Sequence, residues 1–318
     1  GTGNAYTLDV SDGAAVDAAN LLALNGKTTV PVDLQLITAA GTALNGNYAE
    51  LKALFAAAAS GDYTGLAGNL PITIDDNVNV SQANEISALT SAAVTANISD
   101  TVLANYAGLE GTGNAYTIAI ADAAIDADAL QALNAKTTVN IDLTGDTSIS
   151  GTLANVNAVV AETGVTNVLN TIAVTITDTI TAAQAETLVG TNVGNVTATI
   201  AAGTAAGISG ALTGAADGND NFSITVTDSS VDPALLNTLD SRTATDIDVS
   251  AVNTISGANA AIVTLYGNTA NFVGLGNENI TATGGTISVA QANALAGFTS
   301  GTITAQIAAG TAAALTAL

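Results

Sequence analysis

Short segments of the chain alternate apolar and polar residues with a period of two, most clearly at residues 6–11, 172–177 and 222–227. This alternation is typical of strands with one buried face. It predicts about twelve strands. Their expected starts are near Ala5, Thr29, Leu70, Val94, Ala115, Thr138, Thr171, Asn195, Asn221, Asp246, Asn279 and Gly301.

The segments between the strands are rich in Ala and Leu. In one of them Val231, Leu235 and Leu239 recur every four residues, which predicts a short amphipathic helix. The pairs Thr181/Gln184 and Ser288/Gln291 have the spacing of a capping box. Asp232 before Pro233 gives an N-cap followed by proline at the first helical position.

Most predicted strands start about 21 to 26 residues apart, enough for a helix to return and make the next strand parallel. The strands keep one polar face, so helices are expected on one side only. The sequence therefore predicts an α/β fold. Its expected form is a right-handed β/α solenoid, with a layout like that of leucine-rich repeats, one parallel sheet and short helices on one side.

The chain contains an internal repeat. GTGNAYTLDVSD at residues 1–12 returns as GTGNAYTIAIAD at residues 111–122, and a diverged third copy aligns Phe222 with Tyr116 and Tyr6. These observations predict three copies, residues 1–110, 111–217 and 218–318, that form one continuous solenoid. Tyr6, Tyr116 and Phe222 are expected in equivalent buried positions.

Composition limits the class of protein. Hydrophobic residues make up 48% and charged residues 10% of the 318 residues, so the chain can bury a large core. No apolar run is long enough to span a membrane, which predicts no membrane insertion. The balance of 4 Lys and Arg against 27 Asp and Glu gives a net charge of -23, which argues against nucleic acid as a partner. A start at Gly1 and the absence of Met predict a processed product or an excised piece.

The side chains of most catalytic sites are missing. Without His and Cys the common catalytic triads and the usual zinc sites cannot form. Asp75 and Asp76 are adjacent in a predicted strand and should point to opposite faces. The GTGN segments precede a strand, whereas a dinucleotide-binding glycine loop follows one. We therefore expect that the protein is not an enzyme.

Several aspartates end a predicted strand just before a helix. Their carboxylates could cap backbone N–H groups, or they could share Ca²⁺ along one edge of the stacked coils. The candidates are Asp12, Asp76, Asp100, Asp122, Asp178 and Asp228.

Two resemblances add to this interpretation. The turns GNDNF (residues 218–222) and GLGNENI (residues 274–280), with the GTGNAY segments, resemble single degenerate copies of the turn in calcium-binding RTX repeats, which adds Asp220 to the metal candidates. Nearly the whole chain resembles the Thr/Ala/Asn-rich βα repeat regions of very large secreted bacterial surface proteins, particularly cyanobacterial ones. That second resemblance implies export and a surface-layer, filament or adhesive role.

The leading functional hypothesis is a structural component of an extracellular or cell-surface array, filament or adhesin stalk. Its expected partners are copies of itself. Tyr6 and Leu8 at one end should contact Ile303 and Leu315 of a neighbour, either as successive parts of a longer parent chain or through a head-to-tail interface.

The alternative is a ligand-binding module for ice, a glycan or a surface, which would use the polar strand face. Asp9, Asp33, Asp142, Asp246 and Asp248 interrupt that face. Its candidate residues are Thr175, Thr177, Thr197, Thr199, Thr225, Thr227, Thr281, Thr283, Thr302 and Thr304.

Overall fold

The computed structural model describes residues 3–143, 147–161, 164–166, 172–191, 194–214 and 218–318, with only the main chain of residues 165 and 166. The predicted strand start at Thr171 lies outside the described residues. In the described parts, short strands alternate with short helices, and neighbouring strands pair in parallel. The protein is therefore an α/β protein with parallel sheets.

The strands are short, and most have two to five residues. They are β1 (Val16–Asp17), β2 (Val32–Asp33), β3 (Leu44–Gly46), β4 (Tyr63–Thr64), β5 (Ile72–Val78), β6 (Val94–Ile98), β7 (Ala115–Thr117), β8 (Ile125–Asp126), β9 (Ile141–Asp142), β10 (Ser148–Gly151), β11 (Val165–Thr166), β12 (Ala173–Ile180), β13 (Val196–Ile200), β14 (Asn221–Ser223), β15 (Ser230–Val231), β16 (Ile247–Asp248), β17 (Thr254–Ala258), β18 (Phe272–Val273), β19 (Asn279–Ile287) and β20 (Ile303–Ile307).

The helices have four to twelve residues. They are α1 (Ala18–Asn25), α2 (Gln35–Ala40), α3 (Tyr48–Ala59), α4 (Val80–Ser87), α5 (Ala127–Asn134), α6 (Leu153–Ala161), α7 (Ala182–Val189), α8 (Ala205–Ala211), α9 (Pro233–Asp240), α10 (Asn259–Gly267), α11 (Val289–Ala296) and α12 (Ala312–Leu315), with 3₁₀ helices at Leu103–Gly108 and Thr269–Asn271.

Contacts divide the chain into two compact units. Unit 1 comprises Gly1–Thr147 and Ala158–Val168, and unit 2 comprises Ser148–Asn157 and Leu169–Leu318. The boundaries fall inside the second sequence copy, so the two units do not coincide with the three copies. The arrangement of the copies as one continuous solenoid stays a prediction.

Each unit contains more than one parallel sheet. In unit 1 the strands β1, β3, β5, β6 and β7 lie side by side in that order, while β2 pairs with β4 and β9 pairs with β11. In unit 2, β10, β12, β13 and β14 follow one another, as do β15, β17, β19 and β20, and β16 pairs with β18. The prediction of one sheet was therefore wrong. After several helices the chain forms a second, two-residue strand. These short strands pair with one another in separate sheets, as β2 does with β4.

The predicted helix starts at Thr181, Ser288 and Asp232 are confirmed. Thr181 and Ser288 form capping boxes with the Gln three residues later, and Asp232 caps α9 with proline at its first position. The predicted helical spacing from Val231 was wrong, because Val231 belongs to β15. The buried side of α9 is formed by Pro233, Leu236 and Leu239.

The equivalent aromatic residues have two different environments. Tyr116 and Phe222 are each 0% exposed, as predicted, but Tyr6 is 52% exposed, and for that residue the prediction was wrong. Tyr116 lies in β7, which pairs with β6. In the described part of the chain no strand pairs with residues 4–7, and the strand expected near Ala5 is reduced to a single bridge between Asp9 and Asp33.

Candidate functional surface

Most of the predicted metal-binding aspartates hold a helix from an earlier part of the chain. Each accepts a hydrogen bond from the first N–H group of a helix that begins 19 to 28 residues before it. The pairs are Asp76 with Tyr48 (2.8 Å), Asp100 with Val80 (3.4 Å), Asp122 with Leu103 (2.7 Å), Asp178 with Leu153 (2.8 Å) and Asp228 with Ala205 (2.6 Å). We use coil for one strand together with the helix that follows it. These carboxylates therefore connect successive coils.

A bulge places two of these aspartates. Between Thr73 and Asn77 in β5, and between Thr175 and Thr179 in β12, the register shifts against the neighbouring strand. Asp76 and Asp178 lie in these bulges, which turn the strand locally and redirect its side chains. In the third copy the corresponding irregularity in β19 contains Gly284 and Gly285 in place of aspartate.

Three of the RTX-like turns each contain one polar residue that is buried and hydrogen-bonded. Asn114 and Asp220 are 3% exposed and accept the N–H groups of Val94 at 2.9 Å and Val196 at 2.8 Å, the first residues of β6 and β13. Glu278 is 1% exposed. Since buried polar groups need partners, Asn114 and Asp220 secure the starts of β6 and β13.

Glu278 bonds to groups near its own turn. It accepts the Tyr266 hydroxyl at 2.8 Å and the N–H of Gly276. The Tyr266 ring stacks on Phe298 with centroids 5.0 Å apart. Burial, and then the bond to Glu278, raise the pKa of Tyr266. Tyr266 thus connects α10 to the turn before β19 through Glu278, and to the segment after α11 through Phe298.

A set of threonines outside the predicted strand face connects the coils in the same way. Each hydroxyl donates to a carbonyl 20 to 22 residues earlier, at 2.6 to 3.0 Å, and accepts the N–H two residues later, at 2.9 to 3.1 Å. These residues are Thr28, Thr90, Thr137, Thr243 and Thr299. Sequence reasoning missed them, although a threonine directly follows Lys27, Lys136 and Arg242 in the repeat.

The predicted metal-binding aspartates do not form a cluster in the described part of the chain. Among the described residues, no group of three or more Asp or Glu side chains is placed to hold a metal ion. Asp12 is exposed, and its main-chain carbonyl accepts the Thr42 hydroxyl at 3.2 Å.

The predicted threonine face is accessible but is divided between separate sheets. Eight of the ten residues are exposed and Thr225 and Thr281 are half-buried. Thr175 pairs with Thr197, and in another sheet Thr281 pairs with Thr304. Thr177 and Thr199 do not lie opposite each other. The bulge in β12 shifts the register, so that Thr199 pairs with Thr179. Thr283 pairs with Ala258, and Thr225 forms a bridge with Asp248.

The four predicted assembly residues are accessible to different degrees. Tyr6 is exposed, while Leu8, Ile303 and Leu315 are half-buried. The apolar residues of β20 are less buried than those of the matching strands β6 and β13.

One ion pair lies beside an apolar groove between α3 and α4. Lys52 Nζ is 2.5 Å from Glu85 Oε2, which also accepts the Tyr48 hydroxyl at 2.6 Å. The bond to Glu85 raises the pKa of Lys52, and the same bond lowers the pKa of Glu85. Phe55 and Leu89 line the groove. The two opposite charges therefore pair with each other at the rim of this groove.

No protein-family model matches this chain, and comparisons with curated proteins and with solved structures found no similar protein. None of the helices that the structure describes has the length and apolar content required to cross a bilayer.

Proposed function

We propose that this chain is a repeat module of an extracellular structural array, filament or adhesin stalk, and that it assembles end to end. The observation that carries the proposal is the use of the polar side chains. The aspartates that accept helix N–H groups, the buried turn residues Asn114 and Asp220 and the threonines are engaged in bonds between successive coils, with hydrogen-bond lengths of 2.6 to 3.4 Å. Side-chain bonds of this kind link each coil to the next, which suits a protein with a structural role.

The finer architecture belongs to the same proposal. The three copies would form one right-handed β/α solenoid, since parallel strands joined through helices cross over right-handed in about 98% of cases. Such a solenoid leaves an apolar cross-section at each end unless a capping element covers it. Export to the cell surface and the absence of enzymatic activity complete the proposal.

Sedimentation velocity of the 318-residue chain between about 1 and 100 μM tests the assembly, over a range set by typical weak interfaces. We expect the mean sedimentation coefficient to rise with concentration and negative-stain images to show linear particles. Added sodium chloride should strengthen association, because it screens the net charge of -23. A strictly monomeric chain over the whole range would contradict end-to-end assembly.

Calcium binding remains a proposed addition. One oxygen of Asp76, Asp122 or Asp228 accepts a helix N–H, and the other carboxylate oxygen would supply the ligand atom. Ligand binding to the folded state raises its stability, by about 2.7 kcal/mol at a hundredfold excess over Kd. Melting temperatures in calcium chloride and in EGTA, at matched ionic strength, test this addition, and equal values would remove it.

Binding through the threonine face is the second candidate function. The observation in its favour is the register of hydroxyl groups on three neighbouring strands, where the half-buried Ser150 lies beside the exposed Thr175 and Thr197. Parallel strands repeat at about 4.8 Å, so these hydroxyls form a short regular row. Thr175→Val with Thr197→Val should abolish inhibition of ice recrystallisation or glycan binding if the row is the site. A parent chain inactive in both assays would contradict this function.

A further inference from the structure

Strand β20 lies at the edge of its sheet in the described part of the chain. It pairs with β19, and among the described residues no strand pairs with its other side. Its inward residues Ile303, Ala305 and Ile307 are only half-buried. The corresponding residues of the two other copies are 0 to 4% exposed. They are Val94, Ala96 and Ile98 in β6, and Val196, Ala198 and Ile200 in β13.

Strands β6 and β13 show how the corresponding edge is covered in the two other copies. β7 lies against β6, with Ala115 opposite Thr95, Tyr116 opposite Ala96 and Thr117 opposite Asn97. β14 lies against β13 in the same register, which places Phe222 opposite Ala198. In both cases the aromatic side chain is completely buried. An aromatic residue opposite the central alanine is therefore the repeated way of closing this edge.

Residues 1–7 have the same sequence as residues 111–117, which include β7. The main-chain carbonyls of Asn4 and Tyr6 accept the same hydrogen bonds as those of Asn114 and Tyr116. The Thr28 hydroxyl donates to the Tyr6 carbonyl at 2.7 Å, as Thr137 does to Tyr116 at 2.8 Å. The N–H of Thr29 donates to the Asn4 carbonyl at 2.8 Å, which matches the bond from Thr138 to Asn114.

The two surfaces are also compatible in charge. Residues 1–8 contain no charged side chain, and neither do residues 279–318. Despite the net charge of -23, the two surfaces can therefore approach without burying an unpaired side-chain charge. The Tyr6 ring is 52% exposed, so it can supply apolar area to such a contact.

We propose that residues 4–7 of a second copy add as a parallel strand to the open edge of β20. Ala5 would lie opposite Thr304, Tyr6 opposite Ala305 and Thr7 opposite Gln306, the register of β7 on β6. Main-chain hydrogen bonds would supply the regular pairing and Tyr6 the anchoring side chain. The contact is heterologous, so each added copy exposes a new β20 edge. This inference rests on the proposed end-to-end function and names the residues that form the contact. We call this contact, between residues 4–7 of one copy and β20 of the next, the joint.

Disulfide cross-linking tests the register, because the natural chain has no cysteine. We would mix the Ala5→Cys chain with the Thr304→Cys chain under mild oxidation. Paired residues on neighbouring strands lie within the 4.4 to 6.8 Å that a disulfide accepts, at about 5 Å between Cα atoms. The matched control is Thr302→Cys, two residues earlier and also exposed, where the separation would be about 8 Å. We expect a mixed dimer with Thr304→Cys and little with Thr302→Cys.

Substitution of the anchor gives a second measurement. Tyr6→Asp should weaken association at least about tenfold, since it removes the aromatic anchor and adds a charge to the joint. Leu36→Asp is the control, because Leu36 is 54% exposed, similar to Tyr6, and lies in α2 outside the joint. Both changes are at exposed positions, so both variants should keep the parent circular dichroism.

The outcomes separate the two levels of the proposal. Association with equal cross-linking at positions 304 and 302, or with equal effects of Tyr6→Asp and Leu36→Asp, would overturn the strand pairing and leave end-to-end assembly standing. A monomeric parent chain that forms neither cross-link would overturn both.

Discussion

The carboxylate of Asp76 accepts a hydrogen bond from the main-chain N–H of Tyr48 at 2.8 Å, although the two residues lie 28 positions apart. Tyr48 is the first residue of α3, whose own N-cap is Asn47. The helix start thus receives one cap from its own segment and a second from the following coil. Because helix N-terminal N–H groups lack intrahelical partners, both caps stabilise the fold.

Asp76→Ala should lower the free energy of unfolding by about 0.5 to 2 kcal/mol, the usual cost of losing a helix cap. Asp75→Ala is a matched control. It removes the same charge from the adjacent exposed position, and no side-chain hydrogen bond of Asp75 is seen in the described part of the chain. Urea denaturation of the three proteins measures the difference. Equal stability of the two variants would show that the bond to Tyr48 contributes nothing.

Among the described residues, no side chain caps the N-terminus of helix α10. Ala258 occupies its N-cap position without a side-chain hydrogen bond, where the equivalent residues of the other copies are Asn47 and Thr152. Ala258→Asn should raise the free energy of unfolding by about 0.5 to 2 kcal/mol, because an Asn side chain can accept an N–H group of the first turn. The reverse change, Asn47→Ala, should lower it by a similar amount. An unchanged or lower midpoint for Ala258→Asn in thermal denaturation would contradict the prediction.

The buried pair Tyr266 and Glu278 occupies positions that are apolar in the other copies, where Leu70 and Ile172 align with Glu278. Tyr266→Phe should cost about 1 to 3 kcal/mol, because it removes one partner of a buried carboxyl group. The double variant Tyr266→Phe/Glu278→Leu should recover most of that loss, since a buried polar pair can be replaced by apolar groups at little cost. A double-mutant cycle in guanidinium chloride measures the coupling. Additive losses would refute it.

Alkaline pH should unfold the protein. Burial raises the pKa of Tyr116 and Tyr266, and raises that of Tyr63 to about 12. A raised pKa in the folded state means that the unfolded chain loses these protons first. The associated stability is complete below the pKa of an unperturbed tyrosine, about 10, and decreases as pH rises from there towards 12.

Titration at 295 nm with parallel circular dichroism checks this prediction. The buried tyrosines should ionise together with the loss of secondary structure. If all six tyrosines ionised while the circular dichroism was retained, the burial of these side chains would be contradicted. The absence of Trp simplifies the absorbance signal.

The sequence by itself determined the features that depend on neighbouring residues. Period-two alternation located most of the longer strands, such as β6 and β13, within a few residues. The spacing of Thr181 from Gln184 was sufficient to place a helix start, because a capping box is complete within four residues. The internal repeat identified Tyr116 and Phe222 as equivalent core positions, and both are buried.

Only the tertiary structure decided how the coils are joined. The partner of Asp76 depends on a bulge that shifts the register of β5, and period-two alternation contains no signal for it. Two-residue strands such as β2 and β4 are too short to show a period, so their separate sheet was not predicted. Tyr6 and Tyr116 have the same local sequence but opposite exposure, because burial depends on the strand that lies beside them. That neighbour comes from another coil, at a distance along the chain over which local sequence patterns carry no information.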